Sequence, residues 1–485
     1  MMKLAVSGTI RLRTILKQAQ GKMVAFTLLR SGKAWRKRTK AVFFYCLILT
    51  VSFLIATASL TFAQNPPRES LDESTIETLL NQGNFSNAIT AIEQHWENEY
   101  QNYFGEDFSP RLKDISEIQK TLTVMARQTG KKPAVIWAYL RKDKLELLLL
   151  TPENQLLYKS VPEAKREAFL KVAQDFSSQI TNPRKIDTTS YLPSAQQLYQ
   201  WLVEPLEPTL QAQKIETLLF CVGTGLRTLP LAALHDGQQF LTEKYSLARI
   251  PAFSLTDTRY TDLRNAKILA MGASEFTSQS PLPAVPVELS AIAKVGQSES
   301  FLNQDFTLVN LQSQRLLERF RIIHLATHAE FKPGAPRNSY IQFWDGPLRL
   351  DQMRELRWNN PPVELLVLSA CRTALGDKDV ELGFGGLAVE AGVKSALASL
   401  WYVSDLGTLA LMSEFYNQLQ VASMKAEALR SAQMAMISGK VQVEKRQLRT
   451  SKGNLSLPPE LATSETEKFS HPYYWAAFMM IGSPW

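Results

Sequence analysis

The sequence predicts an α/β protein in which helices cover both faces of a mostly parallel β-sheet. A short helical hairpin and an apolar N-terminal leader precede this domain. The main observation is that short, continuous apolar runs alternate with helical stretches from about residue 113 onward, which is typical of a sheet buried on both faces. Two apolar stripes at helical spacing come before this region, and an uncharged run of 23 residues lies ahead of them.

The leader contains the uncharged run 41–63, which follows the basic segment 33–40 and ends with small residues at Thr61 and Ala63. This arrangement is typical of an export signal, but 23 apolar residues are also enough for a retained membrane anchor. Because the positive flank stays inside, both alternatives place the body outside the cytoplasm: periplasmic, secreted, or anchored and facing outward. The leader is therefore residues 1–63, and we expect membrane contact only through it, if it is not cleaved.

The net charge of +8 for 485 residues comes from the leader. Residues 1–40 contain 11 Lys or Arg and no acidic residue, whereas the rest of the chain contains 43 basic and 46 acidic residues. The charge balance of the body therefore gives no electrostatic case for nucleic-acid binding. Three cysteines exclude a disulfide-built scaffold and a zinc site with four cysteine ligands.

The segment 72–96 predicts two short helices on either side of Gly83-Asn84, with apolar residues at helical spacing. It resembles a single tetratricopeptide-like unit, and one such unit cannot bury its own apolar face. We interpret residues 64–112 as a hairpin and linker that brace the next domain. The hairpin is also a candidate surface for a protein partner.

The remaining residues, 113–485, predict one α/β domain. The predicted strands are 134–140, 145–151, 217–222, 267–271, 321–327, 364–370, 395–401 and 474–481. The predicted helices are 193–213, 287–294, 311–319, 405–419 and 423–438, with Asp405 as an N-cap. The segment 440–470 is polar and contains Pro458-Pro459, so it predicts a long surface loop.

Two of the predicted strands end in residues suited to nucleophilic catalysis. His328 follows the strand that ends near Thr327, and Cys371 follows the strand that ends near Ala370. Reactive groups gather beyond the carboxyl ends of parallel strands, so neighbouring strands would bring this imidazole and thiol together. The imidazole can deprotonate the thiol and later protonate a leaving amine. The backbone N–H groups of Ala329 and Cys371 are candidates for holding the oxyanion.

Several segments, taken together, resemble a known family. They are 226–237, 250–256, 282–289, THAEF around His328, LLVLSACRTALGD around Cys371, GFGGLAVEAGVKSALASLWYVSD and HPYYWAAFMMIG. The segments resemble the CHAT family of caspase-like domains, often joined to tetratricopeptide repeats, over roughly residues 113–485. The resemblance implies the caspase–hemoglobinase fold and a cysteine-endopeptidase dyad, with His328 as general acid/base and Cys371 as nucleophile. Family members commonly have Gly directly after this His, where this chain has Ala329.

Other residues near these motifs have two interpretations each. Asp351 and Asp377 are either solvated surface carboxylates or part of a specificity pocket that selects a basic substrate side chain. Trp401 is either a wall of the substrate cleft or a core residue.

The histidines and cysteines also allow alternatives. His324 and His328 are four residues apart, but they lie on a predicted strand without an HExxH arrangement, so we expect no metal and no other cofactor. A disulfide between Cys221 and Cys371 is an alternative that would make Cys371 structural.

The sequence therefore predicts an exported cysteine endopeptidase of the CHAT type, which cleaves a protein or peptide substrate through a thioester acyl-enzyme. The alternative is a catalytically silent caspase-like module that binds proteins as a scaffold. Ala329 and the disulfide would favour that alternative.

Overall fold

One large mixed sheet runs through the centre of the protein. The structure is a computed structural model that describes residues 73–108, 112–153, 156–373, 375–461 and 466–485, with the backbone alone at residues 370–372. The predicted leader, residues 1–63, lies outside the described residues. Within the described ranges, no helix is both long enough and apolar enough to cross a membrane.

The strands are short except at the candidate site. In chain order they are β1 (Pro133–Leu140), β2 (Leu145–Leu150), β3 (Leu156–Val161), β4 (Thr217–Val222), β5 (Ser246–Ile250), β6 (Ile268–Gly272), β7 (Ser298–Leu302), β8 (Ile322–Phe331), β9 (Tyr340–Phe343), β10 (Gly346–Arg349), β11 (Leu365–Thr373), β12 (Ser395–Ser399), β13 (Gln442–Glu444), β14 (Gln447–Thr450), β15 (Gly453–Ser456), β16 (Glu467–Lys468) and β17 (Phe478–Gly482).

The helices cover both faces of the sheet. In chain order they are α1 (Glu73–Asn81), α2 (Phe85–Phe104), α3 (Ile115–Thr129), α4 (Arg166–Ile180), α5 (Leu192–Leu202), α6 (Glu207–Ala212), α7 (Leu241–Lys244), α8 (Val285–Ala293), α9 (Leu308–Leu317), α10 (Lys378–Gly385), α11 (Leu387–Ala391), α12 (Asp405–Leu419), α13 (Lys425–Ile437) and α14 (Pro472–Trp475).

Two blocks of parallel strands form the large sheet. β7, β6, β8, β11 and β12 make the first block, and β17, β5, β4 and β1 make the second. The blocks join where β12 pairs with β17 in the antiparallel sense, so the strand order is β10-β9-β8-β11-β12-β17-β5-β4-β1-β2-β3, with β6 also beside β8 and β7 beside β6. Every residue of β1, β2, β4 and β6 is buried, as expected for strands covered on both faces. The predicted mostly parallel α/β sheet is confirmed.

The hairpin formed by α1 and α2 packs on the second block of the sheet. Ile92 and Trp96 of α2 belong to one buried apolar cluster with Trp137 of β1. Within that cluster, the indole N–H of Trp137 donates to Glu93 Oε1 at 2.7 Å, which ties α2 to β1. The hairpin thus packs on the sheet in the way that a brace would.

The second hairpin helix is longer than the sequence predicts. α2 continues to Phe104 and ends where Gly105 adopts a left-handed φ of 70°, with its N–H donating to Gln101 O. Glycine reaches this conformation without the steric cost that a Cβ imposes, so it stops the helix here.

The described part of the segment 440–470 is not the surface loop that its polarity predicts. It forms the antiparallel sheet β15-β14-β13-β16, in which Val443 and Leu448 are buried. Glu414 of α12 accepts a hydrogen bond from the N–H of Ser451 at 2.9 Å and so attaches this small sheet to the core. The prediction of a loop is wrong because strands of two to four residues are too short to show an alternating pattern.

Candidate active site

The two candidate catalytic residues lie on neighbouring strands. β8 and β11 pair in parallel, with Ala370 opposite His328 and Cys371 opposite Ala329. A register shift of the kind that marks a β-bulge lies just before these pairs, between Leu368 and Ala370. The backbone of Cys371 therefore lies one pair further along the ladder than that of His328, at the same end of the first parallel block.

Both strands continue further than the sequence predicts. β8 reaches Phe331 and β11 reaches Thr373, so His328 lies within a strand and not on the turn after one. The reason is tertiary, because β9 pairs with Ala329 and the residue after it and so extends the ladder. The prediction of a strand end at Thr327 is wrong.

The His328 side chain is half-buried and contacts the segment between β6 and α8. Its Nε2 lies 2.8 Å from the carbonyl oxygen of Ser280. Its ring packs against Phe276, with 4.6 Å between the ring centroids. Because a carbonyl oxygen can only accept, Nε2 carries a proton, and Nδ1 is the nitrogen that can act as a base.

The segment after Cys371 is anchored by α10. Asp377 caps this helix, because its Oδ1 accepts from two backbone N–H groups at 3.0 and 3.1 Å. Asp379, in the first turn, accepts from the N–H of Gly334 at 3.1 Å, which links α10 to the segment that follows β8. Asp377 is thus used as a helix cap, and its role in a specificity pocket stays a prediction.

A carboxylate that the sequence assigns to helix capping lies within electrostatic range of His328 instead. Ser404 is the N-cap of α12, so the prediction of Asp405 in that role is wrong. Asp405 Oδ1 accepts from the hydroxyl of Tyr402 at 2.9 Å. The pKa of Asp405 is raised above its ordinary value, mainly because the carboxyl group is partly buried, and the charge of Glu288 adds to this shift. The hydrogen bond from Tyr402 and the charge of His328 act in the opposite direction.

The sequence could have pointed to Asp405, because this residue is the last one of the segment LWYVSD, which carries part of the family resemblance. The local pattern alone favours a helix cap, and only the packing of α12 against β8 distinguishes the two roles. Trp401, in the same segment, is a core residue. It is buried, and its indole N–H donates to the carbonyl of Tyr473 at 3.0 Å.

Asp351, the other predicted pocket carboxylate, lies exposed in the 3₁₀ helix Leu350–Leu356. Its charge acts on Glu390 of α11, which is 2% exposed. Burial raises the pKa of Glu390 to about 7, Arg354 opposes this shift, and Glu106 and Asp351 add to it. A buried carboxyl of this kind makes the stability of the protein depend on pH, whereas the role of Asp351 in a substrate pocket stays a prediction.

We expect Glu390 to reduce stability as the pH rises from about 4.5 to about 7. In the unfolded chain this carboxyl ionises at its ordinary pKa of 4.5, whereas the folded protein keeps it protonated until about pH 7. The stabilisation is complete below pH 4.5, and at most about 3 kcal/mol of it is lost above pH 7. Glu390→Gln should lack this loss. Urea unfolding of the parent and of Glu390→Gln at pH 5 and pH 8 measures this loss. The prediction would be contradicted if the difference in unfolding free energy between the two proteins were the same at both pH values.

His324 belongs to the core. Its Nδ1 lies 3.1 Å from the hydroxyl oxygen of Tyr416 on α12, and its Nε2 lies at ion-pair distance, 2.8 Å, from Glu288 Oε1 on α8. All three side chains are buried. In the part of the chain that the structure describes, no group of His, Cys, Asp or Glu is arranged to hold a metal ion. His324 therefore joins β8 to the helices on one face of the sheet.

The disulfide alternative is wrong. Cys221 is a buried, free thiol on β4, and the strands β5, β17 and β12 lie between β4 and the strand of Cys371. Strands are about 4.8 Å apart, so the two backbones are separated by about 19 Å, whereas a disulfide needs Cα atoms within about 7 Å. Burial raises the pKa of the Cys221 thiol well above its ordinary value, and the charge of Glu93 raises it further, so this thiol is not a second nucleophile.

Comparisons with solved structures give partial similarities. The Saccharomyces cerevisiae separase–securin complex has a TM-score of 0.45 and 11% identity, and the similarity covers 82% of this chain and 34% of the separase chain. The Arg-specific cysteine proteinase gingipain R (RgpB) has a TM-score of 0.36 and 10% identity, covering 66% of this chain and 74% of that chain. The complex of the Porphyromonas gingivalis RgpB pro- and mature domains has the same score and identity, covering 66% and 77%. This chain thus spans about a third of the length of the separase chain.

The sequence comparisons are more specific. A search of curated proteins finds no match. The CHAT domain family matches residues 192–483, which is more than half of the chain. The predicted start of the domain at residue 113 lies outside this match and stays a prediction. The resemblance inferred from the motifs is confirmed, and this chain belongs to the CHAT domain family.

Proposed function

We propose that this protein is a cysteine endopeptidase of the CHAT type. The observation that carries the proposal is the pairing of β8 with β11, which sets the backbones of His328 and Cys371 beside each other. The position of Ser280 supports it, because its carbonyl oxygen leaves His328 Nδ1 as the basic nitrogen. We expect no cofactor to take part.

In the proposed reaction, Cys371 Sγ attacks the carbonyl carbon of the scissile peptide bond while His328 Nδ1 takes the thiol proton. His328 then gives this proton to the leaving amine, and a thioester acyl-enzyme remains. A water molecule attacks the thioester, its proton passes through His328 to the departing sulfur, and the carboxylic acid product leaves. Each bond that forms is matched by one that breaks, and the enzyme returns to its initial state.

The proposed oxyanion donors are the backbone N–H groups of Ala329 and Cys371. Ala329 is paired on both sides, with Cys371 and with β9, and such pairing directs backbone N–H groups toward neighbouring strands. This observation favours a second candidate function. In it, the domain is catalytically silent and holds a protein partner, for which the hairpin α1–α2 is the candidate surface.

A library of tagged peptides incubated with the full-length protein tests the proposal. We expect the parent to cleave some peptides and Cys371→Ala to cleave none. A thiol-reactive peptide probe should label Cys371, and the labelling should depend on His328. No cleavage, together with labelling no faster than that of an ordinary surface thiol, would support the silent module.

We further propose that Asp405 selects a basic residue before the cleaved bond, because it is a partly buried carboxylate within electrostatic range of His328. Asp405→Asn should reduce kcat/KM for peptides with Arg or Lys at that position by about 10- to 100-fold, since a charge-assisted hydrogen bond is lost. Peptides with an uncharged residue there should keep their rates.

Asp351→Asn and Asp377→Asn are matched controls for this substitution, because the sequence predicts the same role for them. All three variants are compared in kcat/KM for one Arg peptide and one Leu peptide. If Asp351→Asn or Asp377→Asn lost the preference for Arg while Asp405→Asn kept it, we would assign the selection of the basic side chain to that control residue.

We also propose that the protein acts outside the cytoplasm, because residues 1–63 have the composition of an export signal or anchor. Cell fractionation and N-terminal sequencing test this. A mature N-terminus near residue 64 would identify a cleaved signal, and an intact chain in the membrane fraction would identify an anchor. Recovery of the intact chain from the cytoplasm would contradict the proposal.

A further inference from the structure

A cleft of about 210 Å³ lies near His328, and the side chain of Phe276 separates the two. It runs between the segment that follows β6 and the end of β9, and Phe276, Gln279, Gln342 and Trp344 line it. Phe276 belongs to both places, because its ring also packs against the imidazole of His328. The cleft and the candidate active site therefore share the Phe276 ring, which lies between them.

Aromatic surface dominates two walls of the cleft. Trp344 is 39% exposed, which is unusual for a side chain of this size, and Phe276 is half-buried. Covering apolar surface with another apolar group is favourable in free energy, and the packing of a second aromatic ring adds further stabilisation. An aromatic or large aliphatic side chain would gain both contacts here.

Apart from the carboxyl group of Glu275, the polar part of the lining is neutral. Nε2 of Gln342 donates to the carbonyl oxygen of Phe343 at 2.7 Å, and Nε2 of Gln279 lies 3.5 Å from the hydroxyl of Tyr340. The amide oxygens of these two side chains are acceptors, which suits the backbone N–H of an extended peptide. Glu275, an exposed residue of the same segment, is the one ionisable group that also lines the cleft in the described structure.

We infer that this cleft binds an aromatic or large aliphatic side chain of the protein substrate, next to the bond that is cleaved. The inference rests on the proposed function and deepens it, because it adds a neutral, apolar requirement to the cation that Asp405 is proposed to select. A side chain in the cleft would press on Phe276, which backs the His328 ring. Ser280, whose carbonyl oxygen holds His328 Nε2, lies in the same segment as Phe276.

The test compares peptide series in the full-length protein. Each series moves one Phe, or one Ala as reference, through the three positions on either side of the cleaved bond. We expect a KM about tenfold lower for Phe than for Ala at one position, with similar kcat. Trp344→Ala should remove this preference, and so should Thr277→Trp, which places a bulky side chain at the cleft. Leu316→Ala is the matched control, because it truncates an exposed apolar side chain on α9 outside the cleft.

Binding of fluorescent peptides to the Cys371→Ala protein separates this inference from the proposed function. A tenfold loss in affinity for the Phe peptide on adding Trp344→Ala, with no change for the Ala peptide, would support the cleft even if the parent cleaved nothing. Equal affinity and equal KM for Phe and Ala at every position would overturn the inference while leaving any cleavage intact. An equal loss for both peptides in Trp344→Ala would overturn it too.

Discussion

Replacing His328 by alanine is expected to reduce kcat/KM for the best peptide substrate by about a thousandfold, since positioned proton transfer contributes about 10²- to 10⁴-fold. Without the imidazole, the Cys371 thiol has no base beside it, and the leaving amine has no proton donor. The thermal stability should change little, because the side chain is only half-buried and its polar contact is to the Ser280 carbonyl.

Two further measurements make this result specific to proton transfer. The rate of Cys371 alkylation by iodoacetamide, followed as a function of pH, should be higher at neutral pH in the parent than in His328→Ala. His235→Ala is the control, because this histidine accepts from the N–H of Gly237 in a turn and has no part in the candidate site. If His328→Ala kept the parental rate and the parental alkylation profile, His328 would not be the general base.

Replacing Glu93 by alanine is expected to lower the free energy of unfolding by about 3 kcal/mol or more. Glu93 is 2% exposed and accepts hydrogen bonds from the Trp137 indole N–H at 2.7 Å and the Ser254 N–H at 3.0 Å. Truncation would leave one buried donor (Trp137) and one partly buried donor (Ser254) without an acceptor, at about 1–3 kcal/mol each. It would also remove the polar link between the hairpin and the sheet.

Urea unfolding of the full-length protein measures this effect, with two comparison variants. Glu93→Gln keeps one acceptor oxygen and should lose less than Glu93→Ala. Glu77→Ala removes a half-exposed partner of Arg141 from the other hairpin helix and should cost about 1 kcal/mol or less. If Glu93→Ala and Glu77→Ala were equally stable, the buried carboxylate would not be what fastens the hairpin.

The strands that are buried on both faces are predicted well from the sequence. The predicted strand 134–140 corresponds to β1 (Pro133–Leu140), and the predicted strand 217–222 has the bounds of β4. Such a strand is a continuous apolar run, and the run itself is the signal. The exception is the C-terminal segment, where 474–481 divides into α14 and β17, because a four-residue helix is too short for its own periodicity.

The candidate site is predicted only in part. The motifs around His328 and Cys371 identify the residues, and the order of the strands, which brings them together, is a property of the sheet. The role of Ser280 could not be predicted, because its carbonyl oxygen reaches His328 across 48 residues of sequence. Asp405 was predicted with the wrong role, because any acidic residue at the start of a helix fits the capping pattern.

By itself, the sequence determined the family, the position of the hairpin, the central strands and the two residues proposed for catalysis. Local periodicity and short motifs are enough to predict these features. Only the tertiary structure decided that Cys221 is far from Cys371, that β9 lengthens β8, that the segment 440–470 contains a small sheet, and that Asp405 approaches His328. Each of these depends on pairing or packing between residues distant along the chain. Local pattern carries no information about such contacts until the large sheet has set which segments are neighbours.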